Sequence, residues 1–539
     1  MMKNNMKIIK IILILLVITS VFGVIGFTYS YFSLEIEGTP KDVVMNTGDL
    51  RLEYLDDTKL SLENALPGDS ITKKIIVKNV GTKEVSYNIA WKDLINQINY
   101  FDLHLDMKCK SYKNYEESSQ VEYGECKSFY KAIPYTETKI SKDIKRDIAI
   151  EAGVTHVYEL TITFLSRNYS QDENLNKNFS GKIELEEYVD DSVYCYSDDD
   201  KNYVSGQYTY TSSGSNGWSV QLTDKTSTDP VNTALCTYIN NRPITSFSNA
   251  FRDSEAVSID LGKINTKNVT SMYAMFMNTK ATTIKGLELF DTSNVNEMQH
   301  MFRNTNFLSL DLSSFDTSNI DSFLCYFFVS KATYIDISSF DTSKVINMGS
   351  FFNNTQAKYI DLSSFNTSNV TSFNAMFWGT NFENIDLSSF NTSNVIDMGS
   401  MFQSSSLKFL DLRDFDTSNV INMGGMFQSS LATEILGVDS FDTSSVTDMS
   451  SMFYYSKAIN LDLSKFNTEK VTNMYSMFQG SKVKTLDLSS FTIDNVTNMT
   501  DMFRSTSATV GYVKSSDIAT KFNDSSVTGI PSTLKFVVK

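Results

Sequence analysis

Hydrophobic and polar residues recur in a fixed pattern over the second half of the chain. The segment YIDLSSFNTSNVTSFNAMF, at 359–377, is followed 25 residues later by NIDLSSFNTSNVIDMGSMF, at 384–402. A phenylalanine closes each unit and recurs at steps of 25 residues, with two steps of 26. These residues are Phe276, Phe302, Phe327, Phe352, Phe377, Phe402, Phe427, Phe453, Phe478 and Phe503. With a degenerate first unit ending at Phe251, the repeats run from about 244 to 503, which indicates one structural unit stacked on copies of itself.

Each unit combines two hydrophobic periods. Its first half, I-D-L-S-S-F, alternates apolar and polar residues, which predicts a short strand with one buried face. In the second half, apolar residues follow at the spacing of one helix stripe. In unit 384–402 they are Val395, Met398, Met401 and Phe402. The Asn, Thr and Ser residues between the halves are typical of a helix start, so the repeats predict a parallel strand–helix solenoid whose coils stabilise one another.

The pattern also predicts which segments pair and which side chains are buried. Parallel strands are expected near 308–312, 334–337, 359–362, 384–387 and 409–412. The expected core residues of one coil are Leu387, Phe390, Met398, Met401 and Phe402. Two units, IKGLELF at 284–290 and ILGVDSF at 435–441, each add one residue and a glycine, Gly286 or Gly437. An extra residue with a glycine beside a strand predicts a β-bulge.

This repeat resembles a known family. The pattern L-D-L-S-S-F-D-T-S-N-V-x-N-M-x-x-M-F, over about 244–503, resembles the BspA-like leucine-rich repeat surface proteins, a group similar to the repeat lipoproteins of mycoplasmas. The resemblance implies a bacterial cell-surface protein whose usual role is adhesion or host contact. It names no ligand.

Residues 31–190 follow a different pattern, of longer alternating stretches. Alternation on both sides of NVGT within 66–91 predicts a hairpin, and 154–165 and 179–189 predict further strands. The region therefore predicts an antiparallel β-sandwich, which makes the chain mainly β with an α/β solenoid. With YSYFS at 29–33, it resembles the exported TasA/camelysin group, whose jelly-roll domains assemble into matrix fibres in some members. It departs from that group by a cysteine-containing insert at 107–133.

The two regions are flanked by segments without the repeat. Residues 191–243, with a hairpin predicted at 206–222, are interpreted as the N-terminal cap that an open solenoid needs. Residues 504–539, ending in a predicted strand at 533–538, are interpreted as the C-terminal cap. Each cap is expected to cover one end of the stack.

The N-terminus, residues 1–30, is predicted to direct export. Lys3, Lys7 and Lys10 precede the uncharged stretch 11–27, which has the order of a secretory signal. Its length also suits a retained membrane anchor, so cleavage and retention both stay open. In either case the remainder of the chain is expected at the cell surface or outside the cell, with the membrane touched only through this segment.

The net charge and the sequence motifs limit the partners and the reactions that the sequence predicts. The net charge of −16 argues against nucleic acid and anionic lipid as partners. The three histidines, His104, His156 and His300, lie in different modules, and no nucleophile, metal or phosphate-binding motif accompanies them. The sequence therefore predicts neither an enzyme nor a cofactor.

Five cysteines are consistent with export. Cys109 with Cys126, and Cys195 with Cys236, are placed to form disulfides, each within one module. The alternative for all of them is reduced, buried thiols. Cys325 lies in a repeat, where it packs as a small apolar residue.

An aspartate recurs at one position of the predicted strands. These residues, the Asp column, are Asp260, Asp311, Asp336, Asp361, Asp386, Asp411, Asp462 and Asp487. Alternation places them outward, about 4.8 Å apart, where like charges repel and need compensation. Two explanations stay open: local hydrogen bonds to nearby Ser, Thr and Asn, or a binding face that takes a cation or a basic ligand.

These observations predict an exported surface protein that binds by its solenoid. Its expected partners are proteins or glycans on a host, a partner cell or a matrix. The alternative is a structural matrix or fibre component that acts through the TasA-like region.

Overall fold

A computed structural model describes the chain from residue 32 onward. It leaves out residues 38–42, 48–49, 56–59, 99–101, 114, 116–121, 125, 127, 134–135, 167–170, 172–173, 175–176, 188–191, 233–234 and 263. The predicted export segment at 1–30 lies outside the described residues. No helix in the described ranges is long and apolar enough to cross a membrane. The chain divides into two compact units, Met1–Tyr188 and Val189–Lys539.

The first unit is built of β-strands. Their bounds are β1 Phe32–Glu37, β2 Val43–Thr47, β3 Leu50–Leu55, β4 Leu60–Ala65, β5 Ser70–Asn79, β6 Val85–Asn96, β7 Leu103–Lys113, β8 Phe129–Ala132, β9 Thr136–Ile150, β10 Val154–Phe164 and β11 Asn178–Glu187. They form a five-stranded sheet, β4-β1-β11-β6-β9, and a six-stranded sheet, β2-β3-β5-β10-β7-β8. Neighbours pair antiparallel except β1 and β11, which pair parallel.

Strand alternation in this unit produces one hydrophobic cluster. Trp91 and Ile183 of the five-stranded sheet and Leu105 and Leu160 of the six-stranded sheet all belong to it and are buried. The strands predicted at 154–165 and 179–189 are confirmed as β10 and β11. The alternation of apolar and polar residues in the sequence therefore predicted these two strands correctly.

The hairpin predicted within 66–91 is wrong. Both of its strands exist, as β5 and β6, but they belong to different sheets. Asn79 closes the connection: its side-chain amide donates to the carbonyl oxygens of Lys83 and Ile150, 2.8 and 2.9 Å away. Alternation shows that a segment is a strand, whereas its partner depends on residues far away in the sequence.

The second unit contains shorter strands and two short helices. The strands are β12 Tyr194–Cys195, β13 Asn202–Ser205, β14 Tyr208–Ser212, β15 Trp218–Leu222, β16 Tyr238–Ile239, β17 Arg242–Ser246, β18 Ser258–Asp260, β19 Thr283–Lys285, β20 Ser309–Asp311, β21 Tyr334–Asp336, β22 Phe409–Asp411, β23 Glu434–Leu436, β24 Thr485–Leu488, β25 Val510–Val513 and β26 Phe536–Val538. The helices are α1 Ser516–Phe522 and α2 Ser525–Thr528. The hairpin expected at 206–222 is confirmed by β14 and β15, which pair antiparallel.

The repeats form a β-solenoid whose strands pair only in part. Parallel pairs join β18 to β19, β20 to β21, and β22 to β23. The strands predicted at 359–362 and 384–387 are absent from the secondary structure of those described segments. In these segments a backbone hydrogen bond still joins the two coils, from the N–H of Glu383 to the carbonyl of Lys358 at 2.9 Å, but the residues that follow do not form a strand pair. The expected continuous sheet is therefore interrupted.

The short helices predicted in the repeats are wrong. In the unit that ends at Phe402, alternate backbone N–H groups donate to the following coil. The pairs are Met398 to Asn422, Ser400 to Gly424, Phe402 to Met426 and Ser404 to Gln428, at 2.7–3.0 Å. The residues between them form tight turns. One of these turns is closed by the hydrogen bond from the Met401 N–H to the Met398 carbonyl, at 3.2 Å. The result is a β-solenoid of stacked turns.

Left-handed residues explain why no helix forms. Ser400 and Ser404 have φ of 56° and 53°, and each full coil repeats this pair of positive values. A residue with this conformation cannot continue a right-handed helix. Glycine supplies it elsewhere, as at Gly379 and Gly425. Turns of three residues also space apolar side chains at i and i+3, so the sequence pattern resembled a helix.

The core predicted for each coil is confirmed. All five residues expected in unit 384–402 are buried, and Met398, Met401 and Phe402 are fully so. The phenylalanine that closes each coil stacks on the next, with ring centroids 5.3–6.1 Å apart from Phe251 to Phe503. Tyr208 contacts the first ring, and Phe536 contacts the last. One continuous aromatic column therefore runs through the solenoid.

The polar turn of each repeat ties coils together instead of starting a helix. The hydroxyl of Thr367, which is fully buried, donates to the carbonyl of Asn391 at 2.9 Å and accepts its N–H at 2.8 Å. The side-chain amide of Asn394 donates back to the carbonyl of Ser368 at 2.7 Å. The recurring Asn, Thr and Ser thus satisfy backbone groups between neighbouring coils.

The two 26-residue units contain a tight turn where a bulge was expected. The residues Leu287–Leu289 and Val438–Ser440 each form a 3-10 turn, preceded by Gly286 or Gly437 in the left-handed conformation. A Cβ on Gly286 would lie 2.5 Å from the backbone of Leu261. Glycine is therefore required because the extra residue brings two backbones into close approach.

Candidate functional site: a lysine groove on the solenoid

The Asp column is held by hydrogen bonds from its own coils. Each of the eight carboxylates accepts the backbone N–H of the residue two positions later, at 2.9–3.3 Å. In Asp336, Oδ1 also accepts the hydroxyl of Ser338 at 2.8 Å. This geometry fixes the turn after each strand position, and it uses a lone pair that a cation would need.

The column is neither uniformly outward nor uniformly unpaired. Asp336 and Asp361 are only 1% and 4% exposed, which corrects the expectation of an outward row. Asp411 pairs with the guanidinium of Arg413 at 2.6 Å, and Asp487 pairs with Lys539. Hydrogen bonds from Arg413 hold the pKa of the Asp411 carboxyl below its ordinary value. The repulsion predicted along the column is thus offset locally.

The structure pairs four of the five cysteines. Cys109 is joined to Cys126 and Cys195 to Cys236, with Cα atoms 5.6 and 5.8 Å apart, and Cys325 is free. Among the described residues, no group of three or more His, Cys, Asp or Glu side chains is placed to hold a metal ion.

The histidines of the first unit are buried. His104 lies in β7 and His156 in β10. The ring Nδ1 of His156 is 2.9 Å from the hydroxyl of Tyr87, which is 2.7 Å from the hydroxyl of Tyr158. Burial lowers the pKa of His156 from 6.5 to about 4, so this imidazole is neutral at physiological pH. In the second unit, His300 packs edge-on against Tyr273, with ring centroids 5.6 Å apart.

A groove on the side of the solenoid gathers four lysines around an apolar floor. Its volume is about 440 Å³, within the range of ligand pockets. The lysine groove, as we call it, is lined by Lys408, Leu431, Thr433, Lys457, Ile459, Lys482 and Lys484.

The repeat positions these side chains in two rows. Lys408, Thr433, Ile459 and Lys484 occupy one position in successive coils, and each N–H donates to the carbonyl of the preceding member at 3.0–3.4 Å. Leu431, Lys457 and Lys482 form the second row, two residues earlier in their coils. Coils bonded in this way lie about 4.8 Å apart, so Lys408 and Lys484 are separated by about 14 Å along the stack.

The lysines of the groove differ from two other lysines of the solenoid. Lys358, which lies two coils before Lys408 in the same row, pairs with Glu383 at 3.0 Å, and Lys539 pairs with Asp487. Within the described part of the chain, no ion pair or side-chain hydrogen bond joins the ammonium groups of Lys408, Lys457, Lys482 and Lys484 to another residue. A locally positive surface therefore exists on a chain of net charge −16.

Sequence reasoning missed this groove, although a signal was present. The net charge of the chain is negative, and the lysines do not stand at the recurring positions of the repeat. Lysines at variable positions become visible only when the coils are aligned, since Lys408 and Lys484 then share one row. The signal lay in the residues that vary between coils.

The fold and this surface define a class of protein: a β-solenoid of stacked 25-residue repeats with a lysine-lined groove on its side. Three overlapping segments, 245–358, 324–436 and 430–530, match the family described as Mycoplasma protein of unknown function, DUF285. Together they span more than half of the chain, and the protein belongs to that family. No curated protein and no solved structure matches the chain.

Proposed function

We propose that this protein is an exported bacterial surface protein that binds extracellular ligands through its solenoid and so mediates adhesion. The observation that carries the proposal is the lysine groove, whose four ammonium groups have no hydrogen-bond or ion-pair partner among the described residues. The recurring polar residues, in contrast, are engaged between coils. Unpaired charge beside exposed apolar surface is typical of a binding site.

The proposed location rests on the sequence and on resemblance. The basic and apolar order of residues 1–30 favours export, and the two disulfides suit an oxidising compartment. The similarity of the repeats to BspA-like surface proteins supports a role in adhesion. In this proposal the protein binds and does not catalyse, and it needs no cofactor.

Binding of the full chain to cells tests the proposal. Purified, labelled protein should bind host cells or partner bacteria in a saturable way, whereas an unrelated monomeric protein of similar negative charge should not. If the protein shows no saturable binding to any of the surfaces tested, the result would contradict an adhesive role.

The alternative is a structural component of a matrix or fibre. It is supported by the antiparallel sheets of the first unit, their shared hydrophobic cluster and the TasA-like motif, which together favour a β-sandwich of the jelly-roll type. A fibre protein should polymerise as its concentration rises, and static light scattering would detect this. A chain that stays monomeric and binds cells would favour adhesion.

A further inference from the structure

We infer that the lysine groove binds a segment of anionic polysaccharide, with carboxylate or sulfate groups against its ammonium groups and sugar rings against its apolar floor. This inference rests on the proposed binding function and names the chemical class of its ligand. It uses the four lysines Lys408, Lys457, Lys482 and Lys484.

The first argument is charge. Lys457 and Lys482 lie in adjacent coils, shown by the bond from the Lys482 N–H to the Ser456 carbonyl at 3.0 Å. Two ammonium groups on coils about 4.8 Å apart repel one another, and an anion between them would remove that repulsion. The neighbouring Glu383 is already engaged by Lys358 and by the hydroxyl of Tyr359. An anionic ligand would thus supply the partner that the described residues do not provide to these ammonium groups.

The second argument is the apolar surface between the charges. Leu431 and Ile459 lie between the lysines, and Ile459 is 42% exposed. A small inorganic anion would leave this surface in water, whereas the carbon-bound hydrogens of a sugar ring would cover it. The ligand therefore combines anionic groups with less polar faces.

An exposed aromatic ring adjoins the groove along the chain. Tyr455, 45% exposed, precedes Lys457 by two residues. Its ring lies over Gly480, where an added Cβ would approach it to 2.8 Å, and Gly480 precedes Lys482 by two residues. Aromatic rings with one open face offer a flat apolar surface, which suits a sugar ring.

Backbone geometry disfavours an extended peptide as the ligand. The N–H groups of Thr433, Ile459 and Lys484 each donate to the preceding coil. Peptides that bind by strand addition need free backbone donors and acceptors at a sheet edge. The groove offers side chains instead.

The spacing of the charges disfavours nucleic acid. Double-stranded DNA carries one charge per roughly 1.7 Å of its axis, about three for each coil spacing. The groove provides four cations over three coil spacings, and the coil of Leu431 and Thr433 between them contributes no lysine. A polymer with sparser charges fits this pattern better.

Binding of defined polyanions to the purified full chain tests the inference. The probes are heparin for sulfate, polygalacturonate for carboxylate, neutral dextran, a polyglutamate peptide and a DNA duplex, each measured by calorimetry at low and physiological salt. The groove variant carries Lys408→Gln, Lys457→Gln, Lys482→Gln and Lys484→Gln. A matched variant carries Lys280→Gln, Lys285→Gln, Lys331→Gln and Lys535→Gln, which removes the same charge from other exposed positions.

We expect heparin or polygalacturonate to bind, dextran not to bind, and the groove variant to bind roughly tenfold more weakly, while the matched variant stays close to wild type. Stronger binding of heparin would assign sulfate, and stronger binding of polygalacturonate would assign carboxylate. Equal loss in both variants, equal binding of polyglutamate or DNA, or no binding of either polysaccharide would overturn the inference. If cells are nevertheless bound, the proposed function stands and only the ligand class is wrong.

Discussion

The Asp column and the lysine groove are both sets of like charges on the same solenoid, yet their side chains are used differently. The short aspartate side chain reaches the N–H two residues later, so each carboxylate is satisfied within its own coil. The long lysine side chains of the groove make no such bond in the described part of the chain. In a repeat protein, therefore, a recurring charge can be structural, whereas charges that break the repeat point to recognition.

Removing the Asp column should have the largest effect on stability. We expect Asp336→Ala, Asp361→Ala, Asp386→Ala and Asp411→Ala together to lower the free energy of unfolding by about 4 kcal/mol, since each capping acceptor contributes about 1 kcal/mol. Chemical denaturation monitored by circular dichroism would measure this. The matched Asp→Asn variant keeps the Oδ1 acceptor and should lose much less.

Calcium separates the structural role from a binding face. A melt of the wild type that is unchanged by millimolar calcium is expected if the column is structural. A calcium-stabilised wild type, together with a stable alanine variant, would contradict that role and restore the binding face.

A fall in pH should destabilise the first unit before it destabilises the second. Because burial lowers the pKa of His156 to about 4, the neutral form stabilises the fold above pH 6.5, and this contribution is lost as pH falls from 6.5 to about 4. The loss is of order 3 kcal/mol and should fall on the first unit. The carboxyls of Asp411 and Asp462 have pKa values below 3.8, so their contribution is lost only at more acidic pH.

Amide hydrogen exchange at pH 7 and pH 4.5 would show this difference by region. After correction for the slower intrinsic exchange at low pH, we expect lower protection at pH 4.5 in β5, β7 and β10 and unchanged protection in the repeats. An equal loss of protection in both units would contradict this expectation, and His156→Gln should abolish the change in the first unit.

A buried threonine that bonds to the next coil should matter more than a half-buried one, such as Thr371, whose hydroxyl donates to the Ile346 carbonyl at 3.2 Å. Thr367→Val removes two bonds from a buried hydroxyl to the backbone of Asn391 and leaves that N–H and that carbonyl without this partner, so we expect a loss of about 2 kcal/mol. Thr371→Val is the control, because Ile346 and Ile396 occupy the same position in neighbouring coils. Thermal unfolding of both variants would test this, and equal effects would argue against the role of Thr367.

The groove lysines should have the smallest effect on stability. We expect the quadruple Lys→Gln variant to unfold with a free energy within about 0.5 kcal/mol of the wild type, because these exposed side chains have no partner in the part of the chain that the structure describes. The same denaturation curves would measure it. A large destabilisation would mean that the lysines hold the stack, and the contrast with the Asp column would fail.

Sequence alone was sufficient for features that recur locally. The position of each stacked phenylalanine, the buried Met398 and Met401, and the strands β10 and β11 were all predicted correctly. The turns were mistaken for helices because both structures bury residues at i and i+3. The conformation that distinguishes them, a positive φ at residues such as Ser400, leaves only a weak signal in composition.

Other features depend on contacts that the sequence does not display. The partners of β5 and β6 are chosen by distant strands, and the need for Gly286 arises from the backbone of Leu261 in the previous coil. The Asp column recurs in the sequence, but its hydrogen bonds depend on the conformation of the turn that follows each aspartate. The lysine groove consists of residues that do not recur, so the repeat pattern does not predict it.

The uninterrupted phenylalanine column has a consequence for how such a protein changes in length. Each coil offers the next one the same ring, the same threonine hydroxyl and the same alternate N–H groups. A coil can therefore be duplicated or deleted in the interior of the stack without any new interface having to evolve. The exposed side chains move with their coil, so duplication lengthens the display surface and rearranges the charges on it while the core stays the same.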